Sequence, residues 1–260
     1  MITQDEIMTL ADEHIMNTYR RVPIALVKGR GARVYDANGK EYLDFVAGIA
    51  VCNLGHSHPN VVSAIQRQAE SLTHVSNIYY TQPQADVAAL LVKHSFADKA
   101  FFCNSGAEAN EAAIKLARKY AHENMGPDRF ELITMKDSFH GRTMATITAT
   151  GQEKFQFGFT PLLDGFIYTP FNDTAALEAA ITPKTCGIML EPIQGEGGVI
   201  IPDVQYLARV RDICNRHKIL MILDEVQTGI GRTGKMFAYE HSDIQPDIMT
   251  LAKALGSIQP

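Results

Sequence analysis

From about residue 56 onward, short and almost wholly apolar runs alternate with stretches in which apolar residues recur every three or four positions. That alternation is the mark of a parallel sheet wrapped by helices, because strands buried on both faces have no polar side to show. Ala100–Cys103, Glu131–Met135, Phe166–Thr169, Gly187–Leu190, Ile219–Leu223 and Asp247–Leu251 are the predicted strands. Over Ala107–Tyr120, the residues Ala109, Ala113, Leu116, Ala117 and Tyr120 fall at helical spacing, with Glu108, Glu111, Lys115 and Arg118 on the other faces, which predicts an amphipathic helix. Residues 1–55 follow a different pattern. Ala32–Phe45 reads as two short strands joined at Asn38-Gly39, a dipeptide suited to the positive-φ positions of a tight hairpin. The expected fold is α/β: a mostly parallel sheet with helices on both faces over 56–260, preceded by a small N-terminal β-hairpin subdomain over 1–55.

Composition narrows the function classes. With 260 residues, 46% of them hydrophobic, the chain can bury a sizeable core. A net charge of -5 without any run of like charge offers no extended basic surface, so neither nucleic acid nor a membrane is an expected partner. The cysteines at 52, 103, 186 and 214 form no Cys-x-x-Cys pair and are too few for a disulfide framework, which suits a reducing compartment and implies no metal site. Met1–Asp12 lacks the basic start and apolar run of a signal peptide, and no stretch approaches the ~18 apolar residues of a membrane span. The expected location is the cytoplasm.

Several short segments carry candidate chemistry. Asn104-Ser105-Gly106-Ala107-Glu108 follows a predicted strand and opens the predicted helix, where free amides and the helix dipole attract an anion such as phosphate; an ordinary Ser105 cap fits the same residues. Ile219–Leu223 delivers Asp224 and Glu225 to the carboxyl edge of the sheet, where a buried acid needs a metal, an arginine or a protonated heterocycle as partner. Gly229–Met236 resembles a nucleotide P-loop but has Met236 where a magnesium-binding hydroxyl is required. His56-Ser57-His58 has no neighbouring Cys or carboxylate at ligand spacing, so local hydrogen bonding is its expected role. Phe139-His140-Gly141-Arg142 brings an aromatic and a guanidinium to the same sheet edge, one able to stack on a flat ring and the other to grip a carboxylate. Lys253, set among apolar residues after the last predicted strand, is a candidate amine nucleophile. A phosphate cradle, a stacking ring, a buried acid and an amine together match the needs of pyridoxal phosphate.

Eight ordered stretches then make a resemblance specific: Leu43–Gly48, Gly55–Pro59, Ser76–Tyr80, Asn104–Glu111, Ser138–Thr143, Glu191–Gly198, Asp224–Gly234 and Pro246–Gly256. The chain to Gly256 resembles the pyridoxal-phosphate-dependent class III aminotransferases. Ser76–Tyr80, Ser138–Thr143 with Thr150–Phe155, and Leu251–Gly256 are most similar to the acetylornithine branch. The resemblance implies the large-domain fold of aspartate-aminotransferase-like enzymes and transfer of the terminal amine of N-acetylornithine to 2-oxoglutarate in arginine biosynthesis. It implies Ser105, Gly106 and Ala107 as the phosphate cradle, Phe139 and Val226 on opposite faces of the cofactor ring, Asp224 at the ring nitrogen, with Glu225 beside it in the cofactor set, and Gln227 at the phenolic oxygen. Lys253 is implied as the amine that bonds the cofactor, Arg142 as the grip on the substrate α-carboxylate, Glu196 as a gate for dual substrate recognition, and Glu191 as a neighbour of the cofactor. A homodimer is implied, with Phe45–Leu54 and Ser76–Thr81 facing the interface. Two rivals stand beside this reading: an ω-aminotransferase for ornithine, succinylornithine or 4-aminobutyrate, and a non-catalytic binding protein on the same scaffold.

After Gly256 the family pattern continues into a further strand and a C-terminal domain, whereas this sequence reads Ser257-Ile258-Gln259-Pro260. The expectation for the chain as written is a large domain without its C-terminal partner, poorly active because chain ends near Lys253 fray unless tied down.

Overall fold

A computed structural model describes residues 2–256. They form two compact units, residues 2–80 and 81–256, so the division lies after Tyr80, whereas the hydrophobic pattern places it after residue 55.

In the first unit, α1 (Gln4–His14) begins at Thr3, whose hydroxyl accepts from the Glu6 amide while the Glu6 carboxylate accepts from the Thr3 amide. The expected hairpin is present as β2 (Arg33–Asp36) and β3 (Glu41–Leu43), paired antiparallel around Asn38-Gly39. Gly39 has φ of 82°, and the Asp36 carboxylate accepts from the amides of Asn38 and Lys40. A third strand, β1 (Leu26–Arg30), pairs antiparallel with β2. Its apolar residues do not alternate with polar ones, because most of the strand is exposed, and so the sequence does not announce it. After β3 come α2 (Ala47–Ala50), a single turn with left-handed φ values, and α3 (Pro59–Ser71). His56 takes the local role expected of it: its Nε2 lies 2.6 Å from Asp44 Oδ2, and this hydrogen bond holds the Asp44 carboxyl below the ordinary aspartate range.

The second unit holds the parallel sheet. Its strands β4 (Glu131–Met135), β5 (Phe166–Thr169), β6 (Thr185–Leu190), β7 (Leu220–Asp224) and β8 (Ile248–Thr250) stand in the order β5-β4-β6-β7-β8, and every adjacent pair is parallel. The sixth expected strand, Ala100–Cys103, is not one. It has no ladder partner among the described residues, and Phe101 is 72% exposed. An apolar run becomes a strand only where a neighbouring strand offers backbone hydrogen bonds.

Around the sheet lie α4 (Gln82–Lys93), α5 (Gly106–Asn124), α6 (Met144–Ala149), α7 (Glu153–Gln156), α8 (Thr174–Ala179) and α9 (Tyr206–His217). Alternation along the strands sends side chains to two cores. Ile133, Met135, Ile188, Leu190, Met221 and Leu223 pack with Leu177 of α8 and with Leu207, Val210 and Ile213 of α9. Leu132, Met189 and Ile222 face the other way, onto Ala113, Ile114, Ala117 and Ala121 of α5 and Ala145 and Ala149 of α6. Both faces of the sheet are therefore covered, which explains the unbroken apolar runs.

The buried face of α5 differs from the expected one. Ile114 and Ala121 are buried while Leu116 and Tyr120 are exposed. Asn110, Ala113, Ile114, Ala117 and Ala121 recur at three- and four-residue steps and form the face that meets Met189 and Ile222, while Leu116 and Tyr120 lie off that stripe. Ile222 sits in this contact with no exposure. Ile222→Ala is expected to lower stability by about 2–5 kcal/mol, the usual cost of an aliphatic core truncation, read as a lower urea midpoint at unchanged slope. Among the described residues, no helix is long and apolar enough to cross a membrane.

Candidate active site

The N-terminus of α5 is built at the carboxyl edge of the sheet. Ser105 caps it, with Oγ accepting from the Glu108 amide at 3.1 Å, and the Glu108 carboxylate accepts from the Asn104 amide at 2.6 Å. The capping reading of Ser105 is thus realised, yet it uses only the third amide of the turn. The amides of Gly106 and Ala107 lie before the helical ladder begins and remain suited to an anion. Gly106 is required by close approach, since a Cβ there would stand 2.8 Å from Cγ1 of Val226 and 3.4 Å from Cβ of Ala252. A Cβ at Gly141 would stand 2.9 Å from that of Ala107. The loop bearing Phe139 and the segment before Lys253 therefore both meet this helix end.

Asp224 ends β7 on the α5 side of the sheet, one position after Leu223 faces the other core. Its side chain is 4% exposed. Oδ2 accepts from Nδ2 of Asn110 at 2.7 Å and pairs with Nδ1 of His140 at 2.8 Å, while Oδ1 accepts from the Val226 amide at 3.0 Å. Asn110 also donates to the His140 carbonyl at 2.7 Å, and its own oxygen accepts from the Thr250 hydroxyl at 2.7 Å. Burial works against a charged His140, but the hydrogen bond and charge of Asp224, with the charge of Glu191, outweigh it and hold the imidazole above the ordinary histidine value. Nε2 of His140 is buried with no partner among the described residues.

Lys253 is half-buried and has φ of 45°, a left-handed conformation uncommon for a residue with a side chain and typical of functional sites. Desolvation lowers its pKa, opposed by the negative charges of Glu196, Asp224 and Glu191 and assisted by Arg232. Burial therefore weakens the amine's basicity and the three carboxylates partly restore it. Glu191 holds two loops of this site together: Oε2 accepts from the Phe139 amide at 3.0 Å and Oε1 from the Gly195 amide at 3.1 Å. Burial pushes its carboxyl up to about 7. Because that value is raised above the ordinary 4.5, the stability it contributes is complete below pH 4.5 and is lost as pH rises towards 7. Glu191→Gln, neutral at every pH, is expected to flatten the dependence of the unfolding midpoint on pH between 4.5 and 7; an unchanged slope would contradict the raised value.

The remaining expected residues divide. Gln227 packs on the Gly195 loop, where a Cβ would collide with its carboxamide. Arg142 is exposed, its guanidinium carbon 5.7 Å from the centre of the Phe155 ring, and Glu196 is exposed on its loop. Glu225 is not brought to Asp224's side. Successive residues here face opposite ways, and its carboxylate accepts from the Thr228 hydroxyl and the amides of Ala238 and Tyr239, as a structural cap. The glycine loop at 229–236 bonds to itself, with Gly231 donating to Met236 and Gly234 to Gly231, so it makes no P-loop. Asn110, His140 and Thr250 received no role from the sequence; the available signal was a polar Asn110 at helical spacing from Ala113 and Ala117.

A phosphate-bearing, ring-nitrogen cofactor fits this arrangement. The amides that open α5 suit its phosphate, a buried carboxylate suits a protonated ring nitrogen, and a partly desolvated amine follows the Ala252 that meets the same helix end.

Residues 15–257 match the family described as Aminotransferase class-III. The chain is 55% identical over 259 residues to the acetylornithine aminotransferase of Methanocaldococcus jannaschii, covering 100% of this chain and 65% of that protein. It is 57% identical over 249 residues to the acetylornithine aminotransferase of Caldanaerobacter subterraneus subsp. tengcongensis, covering 96% of this chain and 63% of that one. In structure it is similar to the ornithine aminotransferase of Toxoplasma gondii ME49, with a TM-score of 0.95 and 36% identity over 100% of this chain and 62% of the other. The chain thus spans less than two thirds of these relatives' lengths.

Proposed function

This chain belongs to the class-III aminotransferases, and on that premise we propose that it moves the terminal amino group of N-acetylornithine to 2-oxoglutarate with pyridoxal phosphate as cofactor. The observation that carries the reading is the convergence of Lys253, Asp224 and the Gly106 helix end within one unit. When bound, the cofactor supplies an electron sink for the carbon that loses a proton. The amides of Gly106 and Ala107 hold its phosphate. Asp224 would keep a proton on the ring nitrogen, and Phe139 and Val226 would flank the ring. Gln227 donates to the ring's oxygen. With the cofactor in place, the Lys253 amine, whose pKa burial lowers, would hold and move the proton at the carbon bearing the transferred amine. Arg142 grips the α-carboxylate, away from the reacting carbon, and Glu196 gates the two substrates. The same reading carries a homodimeric, cytoplasmic enzyme of arginine biosynthesis.

The likeness to an ornithine aminotransferase supports a second reading, in which ornithine is the donor. One experiment separates the two. The purified chain is loaded with pyridoxal phosphate, and glutamate formation from 2-oxoglutarate is followed with N-acetylornithine, ornithine, succinylornithine and 4-aminobutyrate. Fastest turnover with N-acetylornithine is expected. Faster turnover with another amine would replace the donor, and no spectral change of added cofactor would leave only a binding role for the scaffold.

A further inference from the structure

Phe155 stands between two groups of the proposed site. Its ring meets that of Phe139 edge-on, with centroids 5.3 Å apart and planes at 68°. The Arg142 guanidinium carbon lies 5.7 Å from its centre, and Nζ of Lys154 lies 5.0 Å from it. The segment carrying this ring is firmly mounted. Gln152, itself buried, donates its carboxamide to the carbonyls of Asp137 and Ser138 at 3.3 and 2.9 Å, directly before Phe139. Gln156 donates to the Thr150 carbonyl at 2.8 Å, and the Phe155 amide donates to the Gln152 carbonyl at 3.0 Å. These bonds tie α7 to the loop that presents Phe139 and Arg142.

We infer that Phe155 is a positioning residue for substrate recognition, its π face holding the Arg142 guanidinium in place for a carboxylate while its edge seats the Phe139 ring. The inference rests on the reading of Arg142 as the carboxylate grip. An exposed arginine loses rotamer freedom when it binds, and a ring that already orients the guanidinium reduces that loss. Lys154 over the same ring adds positive potential where the carboxylate arrives. The substrate class that this favours is a carboxylate with its reacting carbon held at a distance.

The test uses the cofactor-loaded chain and N-acetylnorvaline, which keeps the acetamide and carboxylate of acetylornithine and lacks the amine, so it binds without reacting. Its dissociation constant is measured by calorimetry. Phe155→Leu is expected to weaken binding about fivefold, the scale of one partly exposed cation–π contact, and Phe155→Tyr to restore it to within about twofold. Phe155→Met, without a π face, should behave like the leucine variant and serves if that variant does not fold. In an Arg142→Ala background, Phe155→Leu should weaken binding by less than about twofold, because most of its contribution passes through the guanidinium and only the edge contact with Phe139 remains. Equal weakening in both backgrounds, or none in either, would overturn the inference. If Arg142→Ala alone left binding unchanged, the reading of Arg142 would fail first, and this inference with it.

Discussion

Asp224→Ala is expected to lower kcat/KM by roughly a hundredfold to a thousandfold, the range seen when one preorganised electrostatic group is removed from a dry site. It should also destabilise the fold. The carboxylate is 4% exposed and accepts from Asn110, His140 and the Val226 amide. Its removal leaves the buried His140 imidazole without its acceptor and takes one of two acceptors from the Asn110 carboxamide, a loss of about 3–5 kcal/mol for a broken buried pair. Asp224→Asn separates the two effects, because it keeps the shape and removes the charge. In the parent chain His140 is held above its ordinary 6.5, so its contribution to stability is complete below pH 6.5 and is lost as pH rises through the folded value. The asparagine variant should flatten that limb. Urea unfolding at several pH values reads the stability, and steady-state rates read the catalysis. Parent-like stability in Asp224→Ala would show that the hydrogen-bonded cluster contributes little.

Lys253→Ala is expected to abolish the spectral change of added pyridoxal phosphate and to lower turnover by about 10²–10⁴-fold, the span attributed to a positioned general base. Stability should change little, since Lys253 is half-buried and its desolvation disfavours its charge. A small amine such as methylamine should restore part of the rate by occupying the vacated space. Rescue distinguishes a lost base from a disturbed loop, because an external amine cannot repair backbone geometry. Retention of the spectral change in Lys253→Ala would move the covalent role to another lysine.

Asp224 and Lys253 are readable because each follows an apolar strand and so lands at the carboxyl edge of a sheet. The helix opening at Gly106 is readable from its cap and its periodicity. Which partners Asp224 finds is another matter. Asn110 lies 114 residues from Asp224 in sequence and 140 from Thr250, while His140 lies 84 from Asp224. No local rule pairs residues so far apart.

The sequence alone determined the parallel sheet of the second unit, since strands buried on both faces must be nearly all apolar, and the hairpin around Asn38-Gly39, since Gly39 supplies the positive φ the turn needs. It also determined which residue types could serve the chemistry. Tertiary structure decided the rest. It left Ala100–Cys103 an extended connection, because strand pairing needs a neighbour. It turned Leu116 and Tyr120 of α5 outward, because the helix docks through the stripe of Ala113, Ile114, Ala117 and Ala121. Of two adjacent acids it set Asp224 into the site and Glu225 into a cap, because the pleat separates neighbours and only the docking of α5 selects the face on which the site is built.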